Sequence, residues 1–255
     1  MAETETLSFQ NENEFVNHKF TPSGLFVKEN DNFHTRLCVY NYFSEIFPNV
    51  KSGATVNLWF FDTFGKKLAY KKIHIDFQGQ LQFDVSELGI IFEGTCGLSL
   101  IPDEIPELKP SSIGTGFYAY YYDNHNHADL SHEWGKMRFE PSKSEPWLCV
   151  VRPNLFPDTQ IIIMNSYYGN NPEIGSSEYL IRLRNSKGEI LQEKNMPLIP
   201  PCGSIRFKLE DIFHDVFEIA RKESVVSVEV VGKNIKGPFT WVFSPFGDFN
   251  IHHFC

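Results

Sequence analysis

Gly79-Gln80-Leu81-Gln82-Phe83-Asp84-Val85-Ser86-Glu87-Leu88 and Gly203-Ser204-Ile205-Arg206-Phe207-Lys208-Leu209-Glu210-Asp211-Ile212 carry one pattern twice, 124 residues apart (79 to 203). Each opens on glycine. Apolar residues then fall at alternate positions: Leu81, Phe83 and Val85 in one, Ile205, Phe207 and Leu209 in the other. Side chains of a strand point to opposite faces in turn, so this alternation means a half-buried antiparallel strand. Working outward, Gly65-Lys66-Lys67-Leu68 faces Gly188-Glu189-Ile190-Leu191, and Phe117 faces Phe239. Leu37-Cys38-Val39 faces Leu148-Cys149-Val150 at the shorter offset of 111 (38 to 149). Both halves close on a histidine followed by an aromatic, His132-Glu133-Trp134 and His252-His253-Phe254. The change of offset predicts an insertion early in the second copy. Tyr167 to Ser177, turn chemistry throughout, is its expected place. A repeat longer than a hundred residues means two domains and not a solenoid.

The alternation recurs elsewhere. Val56, Leu58 and Phe60, then Tyr179, Ile181 and Leu183, then Val226, Val228 and Val230 each occupy one face of a short run. Gly, Pro and Asn turns separate the runs, as in a sandwich or barrel. The expected class is therefore all-β: two tandem antiparallel β-sandwich domains related by internal duplication, with one short helix in the second. That helix is read at residues 209–222, with Ile212, Phe213, Val216 and Phe217 packed down and basic residues at its end. The expected boundaries are a polar N-terminal arm at 1–30 with one late strand near Gly24-Leu25-Phe26-Val27, a first domain at 31–138, a proline-framed linker at 139–146 and a second domain at 147–255.

Composition narrows the function classes. The 255 residues carry a formal net charge of −9, which repels phosphate backbones, so nucleic acid is not an expected partner. No apolar run reaches the length of a membrane span. The N-terminus has no basic or apolar signal region, and the five cysteines are scattered without CxxC pairing. Cys38 and Cys149 read as core thiols in a reducing compartment, so a cytoplasmic location is expected.

The second half runs strand, Asn185-Ser186-Lys187-Gly188 turn, strand, Pro200-Pro201-Cys202-Gly203-Ser204, strand, Glu210-Asp211-Ile212, Val225-Val226-Ser227-Val228-Glu229-Val230 and a closing aromatic strand. This order resembles the small β-sandwich modules of the sensory-rhodopsin-transducer type over residues 148–245, and more faintly over 37–122. The resemblance implies a binding or scaffolding module, often oligomeric, with no catalytic residues to carry over. The tandem copy and the His-rich closing segments depart from that family, so its signalling role does not transfer.

Two segments could carry chemistry. In Asp123-Asn124-His125-Asn126-His127-Ala128-Asp129-Leu130-Ser131-His132-Glu133, an extended chain would put His125, His127 and Asp129 on one face, with His132 nearby. Imidazole and carboxylate together suit a divalent transition metal, the cofactor this segment would take; composition names no other. The bland alternative is a polar hairpin tip, because Asp, Asn and His are favoured in turns. In Phe117-Tyr118-Ala119-Tyr120-Tyr121-Tyr122, the residues Tyr118, Tyr120 and Tyr122 share a face, and the second copy keeps aromatic character with Trp241. Such a row can bind a ligand or partner, or be packing. There is no phosphate loop, no Gly-x-Ser-x-Gly elbow and no HExxH. The leading expectation is a non-enzymatic binding or protein-interaction module, whether its partner is a protein, a small ligand or a second copy in a homo-oligomer. The alternatives are a metal-binding protein or metal-dependent enzyme using His125, His127 and His132, and a carbohydrate-binding protein using the aromatic strands.

Overall fold

The computed structural model describes residues 22–104, 117–132, 137–138, 140–168, 172–223, 225–235, 238–244 and 248–253. The chain is all-β. In the first half the strands are β1 (Ser23–Glu29), β2 (Phe33–Tyr40), β3 (Ala54–Asp62), β4 (Lys67–Ile75), β5 (Gln80–Asp84), β6 (Phe92–Pro102), β7 (Phe117–Asp123) and β8 (Ala128–His132). In the second they are β9 (Glu145–Val151), β10 (Asp158–Met164), β11 (Tyr179–Arg184), β12 (Ile190–Asn195), β13 (Ser204–Lys208), β14 (Val226–Gly232), β15 (Phe239–Phe243) and β16 (Phe249–His253). They form four antiparallel sheets: sheet I, β1-β6-β3-β4; sheet II, β5-β2-β7-β8; sheet III, β9-β14-β11-β12; and sheet IV, β13-β10-β15-β16.

Sheet III repeats the order of sheet I and sheet IV that of sheet II, strand for strand. The registers agree as well. Cys38 pairs with Tyr118 on β7 and Gln82 on β5; Ile162 pairs with Phe239 on β15 and Arg206 on β13. The duplication is therefore real, but three of its expected correspondences are displaced: Phe117 with Phe239 and His132 with His252 by one residue each, and the Leu-Cys-Val pair by a whole strand. Leu37-Cys38-Val39 lies on β2 and Leu148-Cys149-Val150 on β9, whose counterparts are β10 and β1. Cys38 thus corresponds to Ile162, not to Cys149. No early insertion is needed, because the β2–β3 and β10–β11 connections span residues 41–53 and 165–178. Each holds a short helix, α1 (Phe43–Ile46) and α2 (Pro172–Gly175). Residues 169–171 of the expected insertion lie outside the described residues.

Each of those connections is held by a buried asparagine. Asn41 Nδ2 donates to the carbonyls of Ser52 and Asp76 at 3.0 and 3.2 Å, and Asn165 Nδ2 to those of Gly175 and Ile199 at 2.7 and 2.9 Å. A buried loop must satisfy its backbone groups somewhere, and here one amide satisfies two carbonyls per copy.

The helical segment after β13 is split into α3 (Leu209–Ile212) and α4 (Val216–Glu223), with Phe213 and Val216 fully buried. Its first-half counterpart is a 3-10 turn at Val85–Leu88, stopped by left-handed Gly89. The expected arm at 1–30 needs correction at its end. β1 pairs along its whole length with β6, so residues 23–29 belong to the first sandwich. Likewise β9 begins at Glu145, inside the expected linker.

The two halves share a core. Ile161 and Ile163 of β10 face the second sandwich's own interior, whereas Ile162 and Met164 face the first sandwich. Phe239, Trp241, Phe249 and Ile251 join them there. Trp241 is 0% exposed and meets rings from both sheets of the first sandwich: Phe26 at 6.1 Å, Phe33 at 4.6 Å and Tyr121 at 6.2 Å. An ion pair, Arg206 to Glu93 at 2.8 Å, crosses the same junction. Gly24 permits the contact, since a Cβ there would lie 2.5 Å from the Met164 methyl. Gly65, with φ +76, turns the β3–β4 hairpin against the Pro201 carbonyl, where a Cβ would lie 1.9 Å from oxygen. The described cysteines Cys38, Cys96, Cys149 and Cys202 are free thiols. Among the described residues, no helix is long and apolar enough to cross a membrane.

Because Trp241 belongs to a core common to both halves, Trp241→Ala should cost about 3–5 kcal/mol. Urea unfolding should show one transition in wild type and variant, with the midpoint lowered. A loss below about 0.5 kcal/mol, the range of a surface substitution, would remove Trp241 from that role.

Candidate functional site

The outer face of sheet II is built by alternation along β7. Phe117, Ala119 and Tyr121 point inward and are fully buried; Tyr121 satisfies its hydroxyl by donating to the Phe26 carbonyl at 2.6 Å. Tyr118, Tyr120 and Tyr122 point outward, as their spacing predicts. Tyr118 is 45% and Tyr120 37% exposed, and Tyr122 is half-buried. Cross-strand neighbours complete the face. Tyr120 lies between Arg36 and Leu130, Tyr122 between His34 and Ala128, and Tyr118 between Cys38 and His132.

A polar network immobilises the centre of this face. Arg36 donates to both carboxylate oxygens of Asp84, at 2.8 and 3.0 Å, and Tyr122 donates to the same carboxylate at 3.2 Å. The Arg36 guanidinium also lies 5.7 Å from the Tyr122 ring centroid. The Arg36 hydrogen bonds hold the Asp84 carboxyl below its ordinary range, and burial beside that carboxylate raises the Tyr122 phenol. The small side chain of Ala128, opposite Tyr122, leaves a shallow notch of about 190 Å³ lined by Arg36, Tyr120, Tyr122, Asp123, Asn126 and Ala128.

The His125–His127 segment forms the tip of the β7–β8 hairpin. Asp123 Oδ1 accepts the backbone N–H groups of His125 and His127 at 2.8 and 2.9 Å, and Asn126 takes φ +67. The same turn closes β3–β4, around Asp62 and Gly65, and β11–β12, around Asn185 and Gly188. Its residue types therefore answer a backbone requirement. His127 Nδ1 pairs with Asp123 Oδ2 at 2.9 Å, and its Nε2 approaches Asp248 at 3.4 Å. Burial alone would raise the Asp123 carboxyl, but the hydrogen bonds from His127 and the two backbone groups bring it below its ordinary range. Asp129 points elsewhere. Its Oδ2 accepts the Ile251 N–H at 2.6 Å, tying β8 to β16. His132 is exposed at the end of β8. Among the described residues no three His, Cys, Asp or Glu side chains are grouped to hold a metal ion. Strand register matches His132 with His253, one residue beyond the expected His252. Glu133, Trp134 and Phe254 lie outside the described residues. The fourth expected binding residue, Trp241, is in the shared core and offers no surface.

Arg36, Asp84, Asp123 and Asn126 were not among the expected site residues. Their signal was their phase: Arg36 and Asp84 occupy outward positions of runs whose inward positions are apolar. Which runs pair with β7, and hence whether the two meet the tyrosines, is not written locally.

His34 links this face to the hairpin tips. Its Nδ1 lies 2.6 Å from Glu29 Oε1 and its Nε2 3.1 Å from Asn124 Oδ1. Asn124 is oriented by its own Nδ2, which donates to the Asp31 carbonyl at 2.6 Å, so its oxygen faces the ring. Both ring nitrogens meet acceptors, an arrangement that favours the protonated ring, and Glu29 beside it is buried. Burial pulls the imidazole pKa down, but the hydrogen bonds that the ring donates to Glu29 and Asn124 outweigh it, and the net shift is upward from 6.5.

No known family model and no curated protein matches the chain. Among solved structures, one to which it is similar is the complex of an Amycolatopsis orientalis exo-chitosanase with PNP-beta-D-glucosamine, at 9% identity and a TM-score of 0.18. The match covers 79% of this chain and 24% of that one, so the chain spans less than a quarter of that protein. Neither fold nor activity is taken from it.

The raised pKa of His34 has a stability consequence. Its contribution is complete below the unfolded value of 6.5 and is lost as pH rises through the higher folded value. His34→Gln should therefore cost about 1.5 kcal/mol at pH 5.5, the lower end for a charged hydrogen bond, and less at pH 8.5. Paired urea titrations at the two pH values read the difference. A cost that is equal at both, or larger at pH 8.5, would contradict an imidazolium at this position.

Proposed function

We propose that the chain is a non-enzymatic binding protein whose contact surface is the outer face of sheet II. One observation carries this reading. The equivalent face of sheet IV, position for position, already serves as a docking surface within the molecule. Phe239, Trp241, Phe249 and Ile251 bury themselves against the first sandwich. The register-matched residues of sheet II are Tyr118, Tyr120, Ala128 and Leu130, and of these Tyr118, Tyr120 and Leu130 stand exposed. A fold whose one copy docks through this face has the same face open in the other.

The chemistry around the notch favours binding over catalysis. A general base needs a pKa near the working pH and a free lone pair aimed at a reacting atom. Asp84 and Asp123 are held low by hydrogen bonds from Arg36 and His127, which suits them to accept ligand protons in hydrogen bonds and not to remove them. The tyrosines supply large, stiff contact area with polar tips.

The double substitution Tyr118→Ser with Tyr120→Ser tests this. Wild type is expected to score either on a glycan array or as self-association in sedimentation velocity, and the variant to lose that signal. Its thermal midpoint should stay within roughly 3 °C of wild type, as for an exposed position. Undiminished binding in a folded variant would move the contact surface elsewhere, and silence of wild type in both assays would remove the reading.

A further inference from the structure

We infer that the face of sheet II binds a neutral oligosaccharide, with one pyranose ring seated in the notch beside Ala128 and the chain continuing along Tyr120 and Tyr118. This deepens the binding reading above and rests on it.

The molecule contains its own control for the alternative of a protein partner. Where this face meets protein, in sheet IV, the residues are Ile162, Phe239, Trp241, Phe243, Phe249 and Ile251. Where it is open, in sheet II, register places Cys38, Tyr118, Tyr120, Tyr122, Ala128 and Leu130 at those positions. Three of the six substitutions put a phenol tip where an aromatic without an acid–base group stands in the docked copy. A fourth replaces a filling phenylalanine by alanine and so opens the notch. Arg36, paired to Asp84, lies in its wall. An apolar protein surface pressed on this centre would strip water from Arg36, Asp84 and Asp123 with little compensation. A sugar offers such a face hydroxyls that donate to carboxylates and accept from guanidinium, and a C–H face that stacks on an aromatic ring.

Geometry and charge refine the class. Outward residues of one strand repeat roughly every 7 Å, and the Tyr120 and Tyr122 ring centroids are 5.9 Å apart, tilted by 32°. That is a platform for consecutive units of a chain and not for one compact ligand. Tyr122 is fixed before any ligand arrives by its bond to Asp84, by Arg36 over its ring and by His34 at 5.2 Å. Less conformational freedom is then lost on binding. Two carboxylates, Asp84 and Asp123, against one arginine make the site unfavourable for sulfated or carboxylated sugars, as does the net charge of −9.

Electrophoresis of the full chain through native gels cast with xylan, β-glucan or galactomannan reads even weak association as retardation, and an array of neutral and acidic glycans extends the search. Wild type is expected to be retarded in at least one neutral gel. Ala128→Phe, which installs the residue that sheet IV carries at this position, should reduce that affinity tenfold or more, and Tyr120→Ala likewise. Leu148→Ser, an exposed change on sheet III, should not. Tyrosine-dependent self-association without any neutral glycan signal would overturn the sugar and keep the binding face. Sugar binding unaffected by Ala128→Phe would overturn the notch. Binding confined to acidic glycans would overturn the neutral class.

Discussion

The burial of one sheet face of the second sandwich against the first organises the whole molecule. Trp241 sits at its centre. Burying an aromatic side chain removes roughly 150–250 Å² from water, worth about 4–6 kcal/mol at 25 cal/mol per Å² as an upper figure. Its indole N–H has no hydrogen-bond partner among the described residues, which costs about 1–3 kcal/mol. Burial exceeds that cost, so a tryptophan is tolerated where its nitrogen finds no acceptor. The neighbours follow from the same need. Gly24 keeps clear of Met164, and Arg206, on the rim, reaches across to Glu93.

Docking breaks the symmetry that duplication created. Each copy has one face of each kind, yet only one face of each kind is used. On sheet I, Trp59 and Phe61 are buried with Met137 and Cys202. Strand register places Arg182 and Arg184 at the corresponding positions of sheet III, bonded to Glu193 and Glu229. That face is a solvated charge ladder and asks for no cover. The outer face of sheet II is different. It carries aromatic rings with hydroxyls, and an alanine where sheet IV has phenylalanine, and Tyr118, Tyr120 and Leu130 stand exposed on it.

Much of the fold could be read before the structure, because period-two alternation and glycine turns are local properties. The Gly79–Leu88 and Gly203–Ile212 pair aligned correctly since both copies turn and alternate in step. Leu37-Cys38-Val39 and Leu148-Cys149-Val150 misaligned because any two strands of this fold share an apolar–polar rhythm, and three residues do not distinguish β2 from β9. The better anchor was Asn41 with Asn165, each just past its strand. Its meaning depends on carbonyls up to 35 residues away in sequence, at Asp76 and Ile199. A single residue of offset also mattered. Placing Phe117 against Phe239 would make Trp241 equivalent to Ala119, on the inward side. The observed register makes it equivalent to Tyr120 and turns it outward, the flip that a one-residue slip always produces.

The histidine segment shows the limit of reading composition as chemistry. The residues from Asp123 to His127 look like ligands when taken by type alone, yet the backbone pattern they make is also made by Asp62 to Lys66 and by Asn185 to Glu189. The repeated element is an acceptor side chain at the first position and a left-handed residue at the fourth: Gly65, Gly188, and here Asn126. Once that requirement is removed, what remains particular to the β7–β8 hairpin is where it points its side chains. Asp123 and Asn126 are turned to the notch, and Asn124 holds His34 beside Tyr122. The histidine-bearing turn therefore borders the tyrosine face, and duplication isolates that face because the sister copy shows which residues stand at the same positions where protein covers them.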